Sequence, residues 1–262
     1  MSGEEDSRKR EEMPGSRRFT MCTYSYGWYN EFVPTYVYSI LVAYPHYRVR
    51  VFTPDTLTNC IREALSIVRT HFPNSFDILE DFRLGTVNDH SPHCRWLIPE
   101  TYFEDSDYAY VGDVDFIIVR EKPGLLEGRL DHLDFLGYPY SNVTRKPPLH
   151  QRLSGLHFFK VRDYFERMAG VIEEWRTRDF TPLDDEELLY TMVKREIGVP
   201  ACTLPRYRPH HGFHLGLFRA QKTHVKMHEW KTYDRSIIFD PVLRQVACGS
   251  LAHESIDALA RI

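Results

Sequence analysis

The pattern of hydrophobic and polar positions alternates between strand-like and helix-like stretches along the first part of the chain. Residues 19–23, 48–53 and 76–80 are short apolar or alternating runs that predict strands. Residues 30–43 and 57–71, which lie between them, repeat apolar side chains at helical spacing and predict helices. Alternation of strands and helices is typical of a sheet covered by helices, so the sequence predicts an α/β fold.

The second half of the chain resumes this pattern after an irregular stretch. Residues 121–152 are rich in Gly, Pro and aromatic residues and lack a clear period, which indicates a binding loop or lid. Residues 153–161 predict a strand, and residues 162–178 predict an amphipathic helix. A second helix is predicted over residues 181–198. Residues 237–262 predict a strand, a turn and a closing helix.

Two aspartates stand inside the apolar run of residues 108–120. Asp113 and Asp115 have neighbours on both sides that are typical of a buried strand. Because side chains alternate along a strand, both carboxylates face one point if the strand is continuous. Two like charges at a buried point repel each other unless a cation lies between them. The pair therefore predicts Mg²⁺ or Mn²⁺ held against phosphate; the alternative is a turn with two solvated aspartates.

Two further stretches carry candidate ligand-binding side chains. Thr23 ends the first predicted strand, and Tyr24 and Tyr26 follow it, so all three are expected at the carboxyl edge of the sheet, where α/β folds bind ligands. The alternative is that these rings pack within a loop. Arg95 lies on a short helix that is predicted to begin near Pro92. Its guanidinium can bind a phosphate or a carboxylate, or it can serve in a structural ion pair.

An acidic stretch and a histidine-rich stretch contain the remaining candidate site residues. The acidic residues 184–187 begin a helix that Thr181 is expected to cap, and the helix dipole is a sufficient reason for their charge. The glycine-bearing loop at residues 210–216 contains His211 and His214 and suits a metal or anion site, or is solvated. The zinc-protease motif H-E-x-x-H is absent from the two histidine pairs spaced four apart, HHGFH (residues 210–214) and HVKMH (residues 224–228), because neither has a glutamate after its first histidine.

Composition narrows the class of protein. The chain has 262 residues and a formal net charge of −4, which disfavours wholesale binding of nucleic acid. Residues 1–18 offer little to bury and are predicted to form a disordered tail before a single domain of residues 19–262. The five scattered cysteines predict reduced thiols and a cytoplasmic protein. No apolar run is long enough to span a membrane. The sequence does not decide whether the protein attaches to a membrane surface, nor which oligomeric state it adopts.

The order of these features resembles that of a known family. RWLIPE followed by YAYVGDVD, within residues 95–115, resembles the R-x-L-x-P and Y-x-D-x-D segment of GT-A-fold glycosyltransferases. The likeness is strongest to the retaining family of lipopolysaccharide galactosyl- and glucosyltransferases and glycogenin. SGLHFFKV, which contains Gly155, is similar to the segment that lines the donor sugar in that family. Residues 184–189 resemble its D-Q-D-x-L-N helix start, with Asp185 in the place of Gln.

The resemblance extends to the histidine-rich stretch. Residues 211–219 are similar to the family motif H-x-x-G-x-x-K-P, with Gly216 and Arg219 in the places of its glycine and lysine. Phe213 stands three residues before that glycine, where the family has its metal-binding histidine. The resemblance therefore leaves open whether His211 or His214 takes this role.

The resemblance implies a GT-A fold, with a mixed central sheet flanked by helices in one domain. It also implies a hexosyltransferase that moves a sugar from a nucleotide-diphosphate donor, by default a UDP-sugar, to an acceptor hydroxyl with retention. Asp113 and Asp115, with one of the two histidines, would hold Mn²⁺ or Mg²⁺, and Asp184 and Asp185 are the catalytic candidates. The implied donor-binding residues are Thr23, Tyr24, Tyr26, Arg95, Asp113, Gly155 and Arg219.

Two other classes of protein remain as alternatives. A two-metal nucleotidyltransferase or phosphodiesterase would need a third carboxylate near Asp113 and Asp115. A non-catalytic protein that binds a nucleotide sugar or a glycan would keep the fold without the chemistry. The sequence does not choose among a glycan, a lipid-linked glycan and a protein as the acceptor.

Overall fold

The computed structural model describes residues 17–146, 151–180, 182–208, 212–219 and 230–261. The strands are β1 (Phe19–Tyr24), β2 (Arg48–Phe52), β3 (Phe76–Leu79), β4 (Tyr108–Val111), β5 (Phe116–Ile118), β6 (Tyr140–Ser141), β7 (His157–Lys160) and β8 (Gly212–His214). The helices are α1 (Val33–Ala43), α2 (Asn59–His71), α3 (Leu125–Leu136), α4 (Val161–Arg176), α5 (Asp185–Glu196), α6 (Gly216–Arg219), α7 (Pro241–Val246) and α8 (Gly249–Arg261). Short 3₁₀ helices occupy Gly27–Phe32, Pro92–Trp96, Glu100–Tyr102 and Ser236–Phe239.

The central sheet is mixed and has six strands in the order β3-β2-β1-β4-β7-β6. Strands β1 to β4 are parallel, whereas β7 runs antiparallel to both β4 and β6. Helices α1 and α2 pack in the hydrophobic cluster on one face, and α4 and α5 pack in the cluster on the other. The predicted α/β class, with a mixed sheet flanked by helices, is confirmed.

The apolar run of residues 108–120 is not one strand. Strand β4 ends at Val111 and belongs to the central sheet, whereas β5 begins at Phe116 and pairs with β8 in a separate two-stranded sheet. Asp113 and Asp115 lie in the connection between the two strands. The expectation of a continuous strand is wrong, because the backbone of β5 finds its partner in a segment far along the chain.

Helix α3 was not predicted from the sequence. Its buried positions Leu125, Gly128, Arg129 and His132 follow helical spacing, but only one of them is a large apolar residue. His132 is accommodated because its ring nitrogens bond to a serine hydroxyl and a backbone carbonyl. Leu126, Leu130 and Leu133 pack against the core only partly buried, while a charged and a polar side chain hold two of the most buried positions. The helical signal is therefore weak, and it lies within a stretch rich in Gly and Pro.

Two further local expectations need correction. Helix α5 begins at Asp185 and is capped by Asp184, whose side chain accepts a hydrogen bond from the backbone N–H of Glu186 at 3.0 Å. The expected cap, Thr181, lies outside the described residues. The strand predicted near residue 237 is instead a 3₁₀ turn followed by α7, because Asp240 caps that helix through the N–H of Val242 at 2.7 Å. The closing helix is confirmed as α8.

The structure also corrects the expectation of five reduced thiols. Cys60, in the first turn of α2, forms a disulfide with Cys248, which directly precedes α8. Cys22, Cys94 and Cys202 are free.

Two other predictions from the sequence concern the tail and membrane spans. Most of the predicted disordered tail, residues 1–16, lies outside the described residues. Among the helices that the structure describes, none combines the length and the apolar character that crossing a membrane requires.

Candidate functional site

A cleft of about 400 Å³ lies where the carboxyl ends of β1 and β4 meet. Its lining residues are Tyr24, Tyr26, Tyr29, Pro92, Arg95, Asp113, Val114, Asp115, His214, Gly216 and Leu217. Six of them are site residues predicted from the sequence, and they come from four separate segments of the chain. The fold therefore brings the aromatic loop, the arginine, the paired acids and the histidine-rich stretch to one place.

Asp113, Asp115 and His214 form a group that suits a metal ion. Each offers one ligand atom, and these three atoms all lie within 4.8 Å of one another. Nε2 of His214 is 3.4 Å from Oδ1 of Asp115, which is 4 % exposed. Two carboxylate oxygens and an imidazole nitrogen are donors that Mn²⁺ accepts, and carboxylates also suit Mg²⁺. The residues present therefore fit the implied cation.

The pairing of β5 with β8 is what positions His214. Phe116 lies opposite His214 in the register, and the two rings stack with centroids 4.5 Å apart. The N–H of Leu215 donates to the carbonyl oxygen of Asp115 at 2.8 Å, which ties the two ligand-bearing segments together. A Cβ on Gly212 would lie 2.0 Å from the carbonyl oxygen of Ile117, so only glycine permits this approach.

Of the histidines that the structure describes, His214 is the one that lies with Asp113 and Asp115 in this group. His211, the other candidate, lies outside the described residues.

Arg95 joins the paired acids to α5. Its Nη1 contacts Oδ1 of Asp113 and its Nη2 contacts Oδ2 of Asp185, so one guanidinium holds two carboxylates. Arg95 is 9 % exposed. Burial acts to lower its pKa, but the charges of Asp113 and Asp185 outweigh burial and raise the pKa above its ordinary value. The plane of the guanidinium is also supported by the ring of Trp96, 4.5 Å away.

Gly155 lies against this group of charges. Its N–H donates to Oε1 of Glu186 at 2.8 Å, and a Cβ at this position would meet Nη2 of Arg95 at 2.9 Å. Glu186 is held from its other side by Arg145, whose Nε donates to Oε2 at 2.8 Å. A side chain at residue 155 would therefore crowd the guanidinium that bridges Asp113 and Asp185.

The aromatic loop contributes two of its three predicted residues to the cleft. Thr23 is fully buried and donates to the carbonyl oxygen of Gly112 at 2.9 Å, so it supports the turn beneath the acids and does not line the cleft. The hydroxyl of Tyr24 donates to the carbonyl oxygen of Asp89 at 2.7 Å. Burial raises the pKa of Tyr26 to about 12, so its phenol is protonated at neutral pH.

The two catalytic candidates have different surroundings. Asp185 contacts Arg95 and has a side chain that is only 15 % exposed. Asp184 caps α5, forms an ion pair with Arg152 at 3.1 Å and is not among the residues that line the cleft. Arg219 is the last residue of α6, but its side chain is outside the part of the chain that the structure describes.

Sequence reasoning missed two residues of this region. Tyr29 lines the cleft beside Tyr26, and its place in an aromatic run was the only available signal. Arg145 reaches Glu186 from a stretch without periodicity, so no sequence signal pointed to it.

Comparison with known proteins gives a likeness in structure only. No protein-family model matches the chain, and no curated protein matches its sequence. The glycosyltransferase GlyE of Streptococcus pneumoniae TIGR4 aligns over 94 % of this chain with a TM-score of 0.53 and 11 % identity. The bifunctional glycosyltransferase WbbM aligns over 94 % of this chain with a TM-score of 0.50 and 12 % identity.

The chain spans less than two thirds of either relative, with 64 % of GlyE and 52 % of WbbM covered. At such low identities the likeness shows the fold alone. The parallel strands, the antiparallel strand β7 and the acids at the end of β4 agree with the resemblance seen in the sequence. The chain therefore has the GT-A fold of glycosyltransferases.

Proposed function

We propose that this protein is a metal-dependent glycosyltransferase. It transfers a hexose from a nucleotide-diphosphate donor, a UDP-sugar, to a hydroxyl of a glycan, lipid-linked glycan or protein acceptor, with retention. The observation that carries the proposal is the group of Asp113, Asp115 and His214 in a cleft lined by Tyr24 and Tyr26. The fold shared with GlyE and WbbM, both named as glycosyltransferases, supports it.

The residues of the cleft have complementary roles in this reaction. Asp113, Asp115 and His214 would hold Mn²⁺ or Mg²⁺, which when bound supplies stabilisation of the negative charge that develops on a departing diphosphate. Tyr24 and Tyr26 offer rings against which a nucleotide base can pack. These five residues account for recognition of the charged and the aromatic ends of the donor.

The carboxylates near Arg95 face the sugar in this proposal. Asp185 is the candidate for stabilising an oxocarbenium-like sugar, because it is the carboxylate of α5 that Arg95 draws toward the cleft. Arg95 fixes the orientation of Asp185 and Asp113 by holding both. With retention, the departing phosphate oxygen accepts the proton of the acceptor hydroxyl, so no separate base is required.

The test is nucleotide release from a panel of UDP- and GDP-sugars with Mn²⁺, with and without acceptors. Asp115→Asn preserves the shape of the side chain but removes its charge, and we expect turnover to fall at least about 100-fold. Mn²⁺ binding, followed by electron paramagnetic resonance, should weaken in parallel. Asp163→Asn is the control, because this half-exposed residue of α4 lies outside the cleft and forms an ion pair with Lys160 at the surface.

The other classes of protein give different results in the same assay. Release of pyrophosphate from a nucleoside triphosphate would indicate a nucleotidyltransferase. Binding of a nucleotide sugar without turnover on any acceptor would indicate a binding protein. Turnover that survives both chelation and Asp115→Asn would contradict a metal-dependent transferase.

A further inference from the structure

A second, much smaller cavity of about 10 Å³ lies in the core next to Arg95. Arg95 lines both this cavity and the cleft, so its side chain separates the two. The other walls are mainly apolar side chains of β4, β7 and α4, including Val111, Phe159 and Phe165. The cavity therefore lies on the side of Arg95 that faces the core, away from the cleft.

Three residues that line this cavity each carry a buried N–H group without a hydrogen-bond acceptor among the described residues. These are Nε of Arg95, Nε1 of Trp96 and Nε2 of His157. The residues are 9 %, 5 % and 1 % exposed, respectively. Each unsatisfied buried donor costs about 1–3 kcal/mol. Three donors without an acceptor at one cavity indicate that an acceptor occupies it.

The hydrogen bonds of Asn142 show that Nε2 of His157 is the protonated nitrogen. Oδ1 of Asn142 accepts hydrogen bonds from the N–H groups of Ser154 and Val143, so this atom is the amide oxygen. Nδ2 therefore donates, and it lies 2.9 Å from Nδ1 of His157. Burial and the positive charge of Arg129 lower the pKa of His157 to about 3, which keeps the ring neutral. A neutral ring that accepts at Nδ1 carries its proton on Nε2.

We propose that the cavity holds one water molecule, which accepts hydrogen bonds from Arg95 Nε–H and His157 Nε2–H. His157 is then a positioning residue for Arg95, and Trp96 contributes a third donor beside the same water. The two Nη atoms of Arg95 are held by Asp113 and Asp185, and the water holds its third nitrogen. The whole guanidinium is thereby fixed behind the acids that would bind the cation.

Size and charge favour water over a halide ion. A cavity needs about 10–15 Å³ to hold a water molecule, so this space is at the lower limit even for water. A chloride ion is larger, and it would add negative charge beside a single guanidinium that already pairs with two carboxylates. Water has two lone pairs for two of the three donors, and its own hydrogens can point toward aromatic faces.

A high-resolution crystal structure of the wild-type protein soaked in bromide tests the occupant directly. The expected result is density for a single water within reach of Arg95 Nε and His157 Nε2. An empty cavity, or an anomalous bromide peak in it, would overturn the proposal. This measurement does not depend on the proposed function.

Variants of His157 test the positioning role, which does rest on the proposed function. His157→Phe removes the donor but keeps a ring, and we expect kcat and Mn²⁺ affinity to fall about tenfold, as when residues behind metal ligands are replaced. His157→Gln retains an N–H donor and should stay within about twofold of the wild type. Trp175→Phe is the control, since it removes a buried indole N–H that lies elsewhere and has no acceptor among the described residues.

Two patterns in these variants would refute the positioning role. One is an equal fall in kcat and Mn²⁺ affinity in the His157→Phe and His157→Gln variants. The other is no fall in either variant. Thermal unfolding of each variant identifies changes that come from misfolding. If the wild type shows no turnover on any donor, Mn²⁺ affinity alone still separates the two variants.

Discussion

Asp184 and Asp185 are adjacent residues of one type, yet the structure gives them different partners. Asp184 caps α5, and we expect Asp184→Ala to lower the free energy of unfolding by about 1 kcal/mol, because the N–H of Glu186 loses its acceptor. Asp184→Asn should leave it nearly unchanged, since asparagine caps helices equally well. Urea denaturation checks both values. A similar loss in both variants would contradict the capping role.

Turnover of the Asp184→Asn variant then reports on the catalytic role predicted from the sequence. The variant keeps the cap but lacks the charge, so any loss of activity reflects chemistry and not folding. Asp185→Asn is the matched comparison, because Asp185 contacts Arg95 directly.

Two buried histidines make the stability of the protein sensitive to mild acid. Burial lowers the pKa of His132 to about 4, and burial with the nearby charge of Arg129 lowers that of His157 to about 3. In the unfolded chain both titrate near pH 6.5, so below that pH the unfolded state binds protons that the folded state does not. The free energy of unfolding should therefore fall as the pH falls below about 6.5, by roughly 1.4 kcal/mol per pH unit for each histidine.

The measurement is urea denaturation from about pH 7 to about pH 5, above the range in which most carboxylates titrate. His132→Asn should reduce the slope by about half, because one of the two titrating groups is removed. A slope that is the same in wild type and variant would show that His132 does not contribute.

At the scale of secondary-structure elements, the close contact between β5 and β8 leaves no room for a side chain at Gly212. Gly212→Ala places a Cβ against the backbone of Ile117 and should push β8 away from β5, which displaces His214. We expect Mn²⁺ affinity to fall at least about tenfold, measured by electron paramagnetic resonance.

Gly170→Ala is the matched control for this substitution. Gly170 lies within α4, and a Cβ there would meet no atom within 4 Å. Because alanine is the better helix former, we expect the free energy of unfolding to rise by about 1 kcal/mol with Mn²⁺ affinity unchanged. Unchanged affinity in the Gly212→Ala variant would contradict the dependence of the metal group on this pairing.

The elements show which parts of the fold the sequence predicts. Strands β1 to β3 and helices α1 and α2 were predicted because short strand-like runs alternate with longer apolar stretches of helical length; α2 also buries Ile61, Leu65 and Val68 at helical spacing. Helix α3 was missed because Arg129 and His132 occupy its buried face. The break after β4 was missed because residues on both sides of it are equally apolar, and only the distant partner β8 distinguishes β5 from β4.

The candidate site was predictable where chemistry and position in the sequence coincide. Asp113 and Asp115 are conspicuous because charge is rare within an apolar run. The approach of His214 to the two acids, and the contact of Arg95 with both Asp113 and Asp185, depend on how distant segments fold together. No local pattern carries that information.

At the scale of the whole molecule, the disulfide between Cys60 and Cys248 closes a loop across most of the chain. The two residues are 188 positions apart, so chain entropy predicts a stabilisation of up to about 5 kcal/mol. We expect Cys248→Ser to lower the free energy of unfolding by about 2–5 kcal/mol. Cys202→Ser, which replaces an exposed free thiol, should have little effect.

A count of reactive thiols tests this bond independently of stability. The protein unfolded without reductant should show three, those of Cys22, Cys94 and Cys202, whereas the reduced protein should show all five. Five thiols before reduction would contradict the disulfide.

The origin of the three candidate ligands in two distant segments has a consequence for synthesis of the protein. While the ribosome has made the chain only as far as β7, both acids and Arg95, the partner of Asp113, are present, but His214 has not yet been added. A nascent or prematurely terminated chain that lacks β8 therefore cannot assemble the group of three. Tight binding of the cation would then identify a polypeptide whose translation has passed β8 and in which β8 has paired with β5.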